Sequence, residues 1–387
     1  MFIKEIRLQN LLSFGPDTPS LELRPLNVLI GPNGSGKSNL IEAISILQAA
    51  PNDISEPFAR GGGANEWIWK GANDGDQAII TARAALFGNA LGIDVLHQMH
   101  LSPMKGLGIG VLKESLLEIE DNRPPVPVYR GTYSSGTIKS NGEFKDITLT
   151  EREGHHSILS LRRDPQYYRS ITNLSADYTR IRIYRDWSFG RGTVVRVPQP
   201  AVDFEQFLKE DLSNLALTIS RLLSEPSDRD HLYRLLEKLA DNVCQIGVAN
   251  LHDTVQIYLH EGSRRIPATR LSDGTLRYIC LLAILCDPNP PPLVCIEEPE
   301  LGLHPDMLPT ITDLLRQASH RTQVVVTTHS DLIVDALTNS PEDVVVCEKH
   351  DGCTTMRRLA RSDLSTWLEK YSLGDLWTRG QIGGNRW

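Results

Sequence analysis

The chain has 387 residues, a formal net charge of −8 and 40% hydrophobic residues. That length suits one or two domains with a real core. The acidic balance excludes a generally basic nucleic-acid coat, while leaving room for a local basic groove. No apolar run approaches the roughly 18 residues of a membrane span. The opening Met1-Phe2-Ile3-Lys4-Glu5-Ile6 lacks the layout of a secretory signal. The 6 cysteines show no C-x-x-C spacing and are expected as buried free thiols of a reducing, cytoplasmic compartment.

Residues 1–12 alternate apolar and polar, which predicts an edge strand with 21–23 as its neighbour. Leu26, Val28, Leu29 and Ile30 predict a short buried strand. Residues 31–38 then read Gly-Pro-Asn-Gly-Ser-Gly-Lys-Ser, a complete G-x-x-x-x-G-K-S loop, and 39–47 predict an amphipathic helix. Strand, loop and helix in that order are the context this motif requires. Glycines let backbone N–H groups curl round phosphates, and the helix N-terminus adds partial positive charge. Asn33, Gly34, Ser35, Gly36, Lys37, Ser38 and Asn39 are the candidate nucleotide contacts. Lys37 would neutralise phosphate oxygens, and the Ser38 hydroxyl would ligate Mg²⁺.

Beyond Pro51, a Gly-rich loop (61–63) leads into short strand-like runs at 78–86, 126–129 and 146–149, with Asn141-Gly142 predicting a hairpin. Residues 162–196 hold eight arginines (Arg162, Arg163, Arg169, Arg180, Arg182, Arg185, Arg191, Arg196) interleaved with Tyr167, Tyr168, Tyr178, Tyr184 and Trp187. Such a mixture suits phosphate contact and base stacking, or else a solvated arm paired to Asp177 and Asp186. Leucines and phenylalanines at helical spacing predict helix over 203–243. From Leu271 onward, strands alternate with helices, which implies a parallel sheet.

Residues 270–277 place Ser272 as the cap of a following apolar helix, with Gly274 beside it; a capped helix terminus is itself an anion site. Residues 291–298 are an apolar strand ending in Glu297 and Glu298. Carboxylates at a strand's C-terminal tip lie where open α/β sheets bind ligands. Glu297 would hold Mg²⁺ and Glu298 would act as general base. Residues 324–330 form another such strand ending at His329, with one helix between it and Glu298, so a neighbouring parallel strand is expected.

These pieces resemble, in order, the motifs of an ABC-type ATPase. Residues 31–38 resemble Walker A. Leu271-Ser272-Asp273-Gly274-Thr275 resembles the signature loop, and 294–298 resemble Walker B with its catalytic glutamate, Glu297 standing for the usual aspartate. Leu301-Gly302-Leu303-His304 falls at the D-loop, and His329 matches the switch histidine; Gln166 is the candidate Q-loop residue. The string 297–305 and the opening Ile6, Leu8, Asn10 and Ser13-Phe14 look like RecF/SMC-like and OLD-like AAA-family ATPases. Too few residues follow His329 in this sequence for the TOPRIM domain of OLD proteins.

The resemblance implies an α/β P-loop NTPase. Its ABC-type head with a mixed sheet would comprise 1–50 and 265–387, with an inserted α+β lobe at 51–264. It also implies a homodimer sandwiching ATP and Mg²⁺, each nucleotide held by Walker A of one chain and Ser272 of the other. The leading expectation is an ATP-hydrolysing, DNA-associated enzyme of repair or phage defence. The alternative is an ATP-dependent sensor that controls a partner nuclease or toxin without touching DNA.

Overall fold

The computed structural model describes residues 1–384 except 74, 87–91, 105–107, 122, 141, 151–152 and 240–242. The chain divides into two compact units: Met1–Ile181 with Glu342–Asp363 and Gly380–Trp387, and Arg182–Pro341 with Leu364–Arg379.

The first unit carries an antiparallel sheet of eight strands, in the order Leu21–Glu22, Ile3–Gln9, Ala78–Ala85, Asp94–Met104, Gly108–Ile119, Val126–Thr132, Ser135–Ser140 and Glu143–Thr148. Ile3–Gln9 is therefore not an edge strand. Ala78–Ala85 alternates buried Ala78, Ile80, Ala82 and Ala84 and supplies it with a second neighbour. Asp94–Met104 and Gly108–Ile119 place His97 and Glu114 among the buried apolar residues Val95, Met99, Leu101, Ile109, Val111 and Leu116. His97 Nε2 meets Glu114 Oε1 at 2.8 Å, while Ser157 Oγ and the Ile158 N–H donate to the same carboxylate. A buried carboxylate is tolerated when its oxygens are this fully bonded. The Asn-Gly hairpin forms with Ser140 opposite Glu143 and Gly142 at φ 85°; Asn141 lies outside the described residues.

Also in this unit, Leu26–Ile30 pairs in parallel with Val344–His350, which turns back against Cys353–Arg358. All five residues of Leu26–Ile30 are buried. The helix after the phosphate loop spans Lys37–Ala49, and nine of its 13 residues are buried. It is a core helix rather than the amphipathic one expected, as its apolar positions run nearly all round.

In the second unit, Arg182–Tyr184, Leu293–Glu297 and Gln323–Thr327 form a parallel array, with helix Leu308–Ala318 crossing between the last two. An antiparallel sheet joins Gln199–Pro200, Val243–Leu251, Thr254–Glu261 and Arg264–Pro267. The helix expected over 203–243 is confined to Leu215–Ser224 and Pro226–Leu236. Residues 203–214 are irregular because Asn214 binds the Lys209 N–H and the Phe207 carbonyl, and Leu212 sits at φ 65°. Such side-chain bonds compete with the helix ladder.

No helix among the described residues is long and apolar enough to cross a membrane. Cys280, Cys295 and Cys347 are buried free thiols, and burial pushes Cys286 and Cys347 up to about 12. The Cys244 side chain lies outside the described set.

Candidate nucleotide site

The phosphate loop lies in the first unit. Gly31 sits at φ 148°, where a Cβ would come within 2.2 Å of the Cys347 carbonyl oxygen. Gly36 sits at φ 96°, and a Cβ there would come within 2.2 Å of Thr354 Oγ1. Both positions demand glycine on two counts, conformation and space. Lys37 opens the helix, and Nζ arches back to donate to the carbonyls of Gly31 (2.8 Å) and Pro32 (3.0 Å). The cation is thus held over the loop where phosphates would lie. The helix cap, Gly36, provides no side-chain bond, so its terminal dipole is not quenched by a cap. Among the described residues Ser35 Oγ is buried without a hydrogen-bond partner, the kind of orphan group a bound anion would satisfy.

A polar network beneath the loop escaped sequence reasoning. Asn39 Nδ2 donates to Ser13 Oγ at 2.6 Å. Thr354 Oγ1 lies 2.6 Å from Ser13 Oγ and 2.9 Å from the Ser35 carbonyl oxygen. Thr354 follows the loop by over three hundred positions (|i−j| 319 from Ser35), so no local pattern could have singled it out.

The strand-tip acids lie in the second unit. Glu297 ends its strand opposite Thr327 of the parallel neighbour, as the spacing to His329 predicts. Glu298 follows at φ 47°, left-handed backbone for a non-glycine residue. Its N–H donates to the Thr327 carbonyl at 3.0 Å. Left-handed strain at a carboxylate is a feature of functional sites. His329 Nε2 lies 3.6 Å from Glu298 Oε1, both side chains about a third exposed. The structure therefore brings the two residues assigned to chemistry together. Glu300, not singled out in sequence, accepts from Thr328 Oγ1 and the His329 N–H, each at 2.7 Å, and so fixes the loop that carries His329. Its signal was the third carboxylate of the string 297–300.

The signature loop lies in the same unit. Ser272 caps helix Asp273–Leu285, accepting from the Thr275 N–H at 3.0 Å. Gly274 packs so tightly on the 301–304 segment that a Cβ would lie 2.4 Å from the Gly302 carbonyl oxygen. Ser272, Gly274, Gly302 and His304 line an open cleft of about 730 Å³. From the buried face of the helix, Arg277 donates to the carbonyls of Glu298 (3.2 Å) and Leu301 (2.6 Å) and stacks 4.7 Å over Trp187. Trp187 Nε1 in turn donates to the Glu297 carbonyl at 3.0 Å. Burial draws the Arg277 guanidinium below its ordinary value, with Glu300 opposing.

The arginine-rich segment is not one arm. It comprises helix Arg169–Thr179, strand Arg182–Tyr184 and irregular chain. Arg196 is buried and is no phosphate contact: it donates to the carbonyls of Phe189, Ala268 and Leu271 and pairs with Asp273, holding the signature loop from below. Arg182 pairs with Glu205 and stacks on Phe207. Tyr178 and Tyr184 are buried and present no face for base stacking. Gln166 is exposed, with its N–H on Asp164 Oδ1.

A family model described as "AAA domain, putative AbiEii toxin, Type IV TA system" matches residues 26–80 and 120–335. No curated protein sequence matches. Among solved structures, the chain is similar to an Smc head bound to the C-winged helix domain of ScpA, with 13% identity and TM-score 0.59 over 94% of this chain and 99% of that one. It is also similar to an Smc head with an extended coiled coil bound to the C-terminal domain of ScpA, from Pyrococcus furiosus (12%, 0.52, 95% and 99%). A third likeness is to an Smc head with coiled coil and joint from Pyrococcus yayanosii (12%, 0.51, 95% and 99%). At these identities the likeness shows the fold alone, a mixed α/β architecture like that of Smc heads.

Proposed function

We propose an ATP-hydrolysing switch for this chain, which belongs to the AAA-domain family described as a putative AbiEii toxin of a type IV TA system. The observation that carries the reading is the pair Glu298–His329 at a strand tip in a chain that also arches Lys37 over a complete phosphate loop. Asn33, Gly34, Ser35, Gly36, Lys37, Ser38 and Asn39 bind the nucleotide. Glu298 accepts a proton from the attacking water, and His329 orients that water beside it.

The donor chemistry fits Mg²⁺. Ser38 and Glu297 offer hard oxygens, and among the described residues no group of three His, Cys, Asp or Glu is placed to hold a metal ion by itself. Mg²⁺ held through one or two protein oxygens and the substrate's phosphates needs no such cage. When bound it would neutralise charge on the phosphate oxygens.

The core of the enzyme is 1–50 with 265–387, and 51–264 is its inserted lobe. Two copies act head to tail, Ser272 and Gly274 of one completing the nucleotide site of the other. Support comes from the open cleft at the signature loop and from Leu301, half exposed beside it. The role is in DNA repair or phage defence within the cytoplasm. Of the two outputs, control of a partner nuclease or toxin draws support from the internal commitments of Arg182, Arg196, Tyr178 and Tyr184. Direct DNA contact would have to rest on exposed arginines such as Arg169 and Arg191. The test is ATP turnover with and without duplex and single-stranded DNA. Unstimulated turnover fits the sensor; strong stimulation that falls with rising salt establishes DNA as the partner.

A further inference from the structure

Residues 67–69 lie against the turn that follows the first strand: the Leu12 N–H donates to the Trp67 carbonyl at 2.6 Å and the Trp69 N–H to the Asn10 carbonyl at 3.0 Å. Trp69 and Lys70 bring an aromatic ring and a cation to that place. They line an open cleft of about 530 Å³ together with Ser13 and Asn39, within the ~300–1,000 Å³ range of small-molecule sites. Ser13 and Asn39 belong to the network under the phosphate loop, so the cleft begins where that loop's first helical turn ends. The Trp69 ring is fixed. Its Nε1 donates to the Gly352 carbonyl at 3.3 Å, and a Cβ on Gly71 would come within 2.4 Å of the ring. Lys70 Nζ is held on Glu66 Oε2 at 3.0 Å at the rim.

We infer that this cleft receives the base of the bound nucleotide, stacked on Trp69. The inference rests on the ATP reading above. A rigid indole is a pre-organised platform for a nucleobase, and the cleft starts at polar groups already tied to the phosphate loop. The 67–70 segment thereby supplies the chain's base contact.

The test is calorimetric titration of the full chain with Mg·ATP and, separately, with inorganic tripolyphosphate, which has no base. Wild type should bind ATP more tightly than tripolyphosphate. Trp69→Leu should lower ATP affinity about tenfold and leave tripolyphosphate unchanged, since only the stacking surface is lost. Trp69→Phe, which keeps a ring and guards against a folding defect, should stay close to wild type for both. Equal losses for the two probes, or none, would overturn the assignment. Lys37→Ala separates the two levels of the argument and should lose both probes. If wild type binds neither probe, the ATP reading falls and takes the cleft with it. If it binds both equally well, the cleft assignment falls alone.

Discussion

At the residue scale, the central fact is a carboxylate in left-handed backbone. Glu298 keeps φ 47° because its N–H is fixed on Thr327 and its carbonyl on Arg277. Arg277 is a positioning residue: it holds the chain on which Glu298 and Leu301 are carried. Arg277→Ala would leave two carbonyls without their charged donor and cost about 1–3 kcal/mol of stability. ATP affinity should hold while turnover falls. Arg277→Lys should recover stability better than turnover, because a point ammonium cannot serve both carbonyls and stack on Trp187. Denaturant melts read the first quantity and phosphate release the second. Of these residues Glu298 was legible in sequence as a strand-tip acid. Arg277 was not, because an arginine in an apolar helix carries no sign of which carbonyls it will meet.

At the element scale, sequence was informative where local rules suffice. The buried strand Leu26–Ile30, its glycine loop and the Ser272 cap each follow from a few adjacent residues. It failed where distant partners decide. Strands Asp94–Met104 and Gly108–Ile119 bury a His97–Glu114 pair that reads as surface, and 203–214 has helical spacing but is held irregular by Asn214. The resemblance covered the two ends of the chain and left the middle, where these departures lie. The cap makes its own prediction. Ser272→Ala removes the bond to the Thr275 N–H and should lower stability by about 1 kcal/mol. If Ser272 also serves nucleotide held by another chain, turnover should fall by more than that stability loss accounts for, with ATP binding to the isolated chain unchanged.

At the scale of the whole molecule, the proposed unit of function is two chains, each lending its signature loop to the other. Lys37→Ala and Ser272→Arg should each be inactive alone, one for want of ATP, the other through charge and bulk at the cleft. Mixed, they form pairs with one doubly damaged site and one intact site. ATP turnover should reappear on mixing if one site fires alone, and should depend on the ratio of the two chains. The claim beneath all of this is that the chain hydrolyses ATP with Glu298 as base. Its most direct test is phosphate release from saturating Mg·ATP by wild type and by Glu298→Gln, both verified to bind ATP. The account expects steady turnover from wild type and a loss of about 10²–10⁴-fold in the variant, as removal of a general base does. Equal turnover by the two proteins would contradict it.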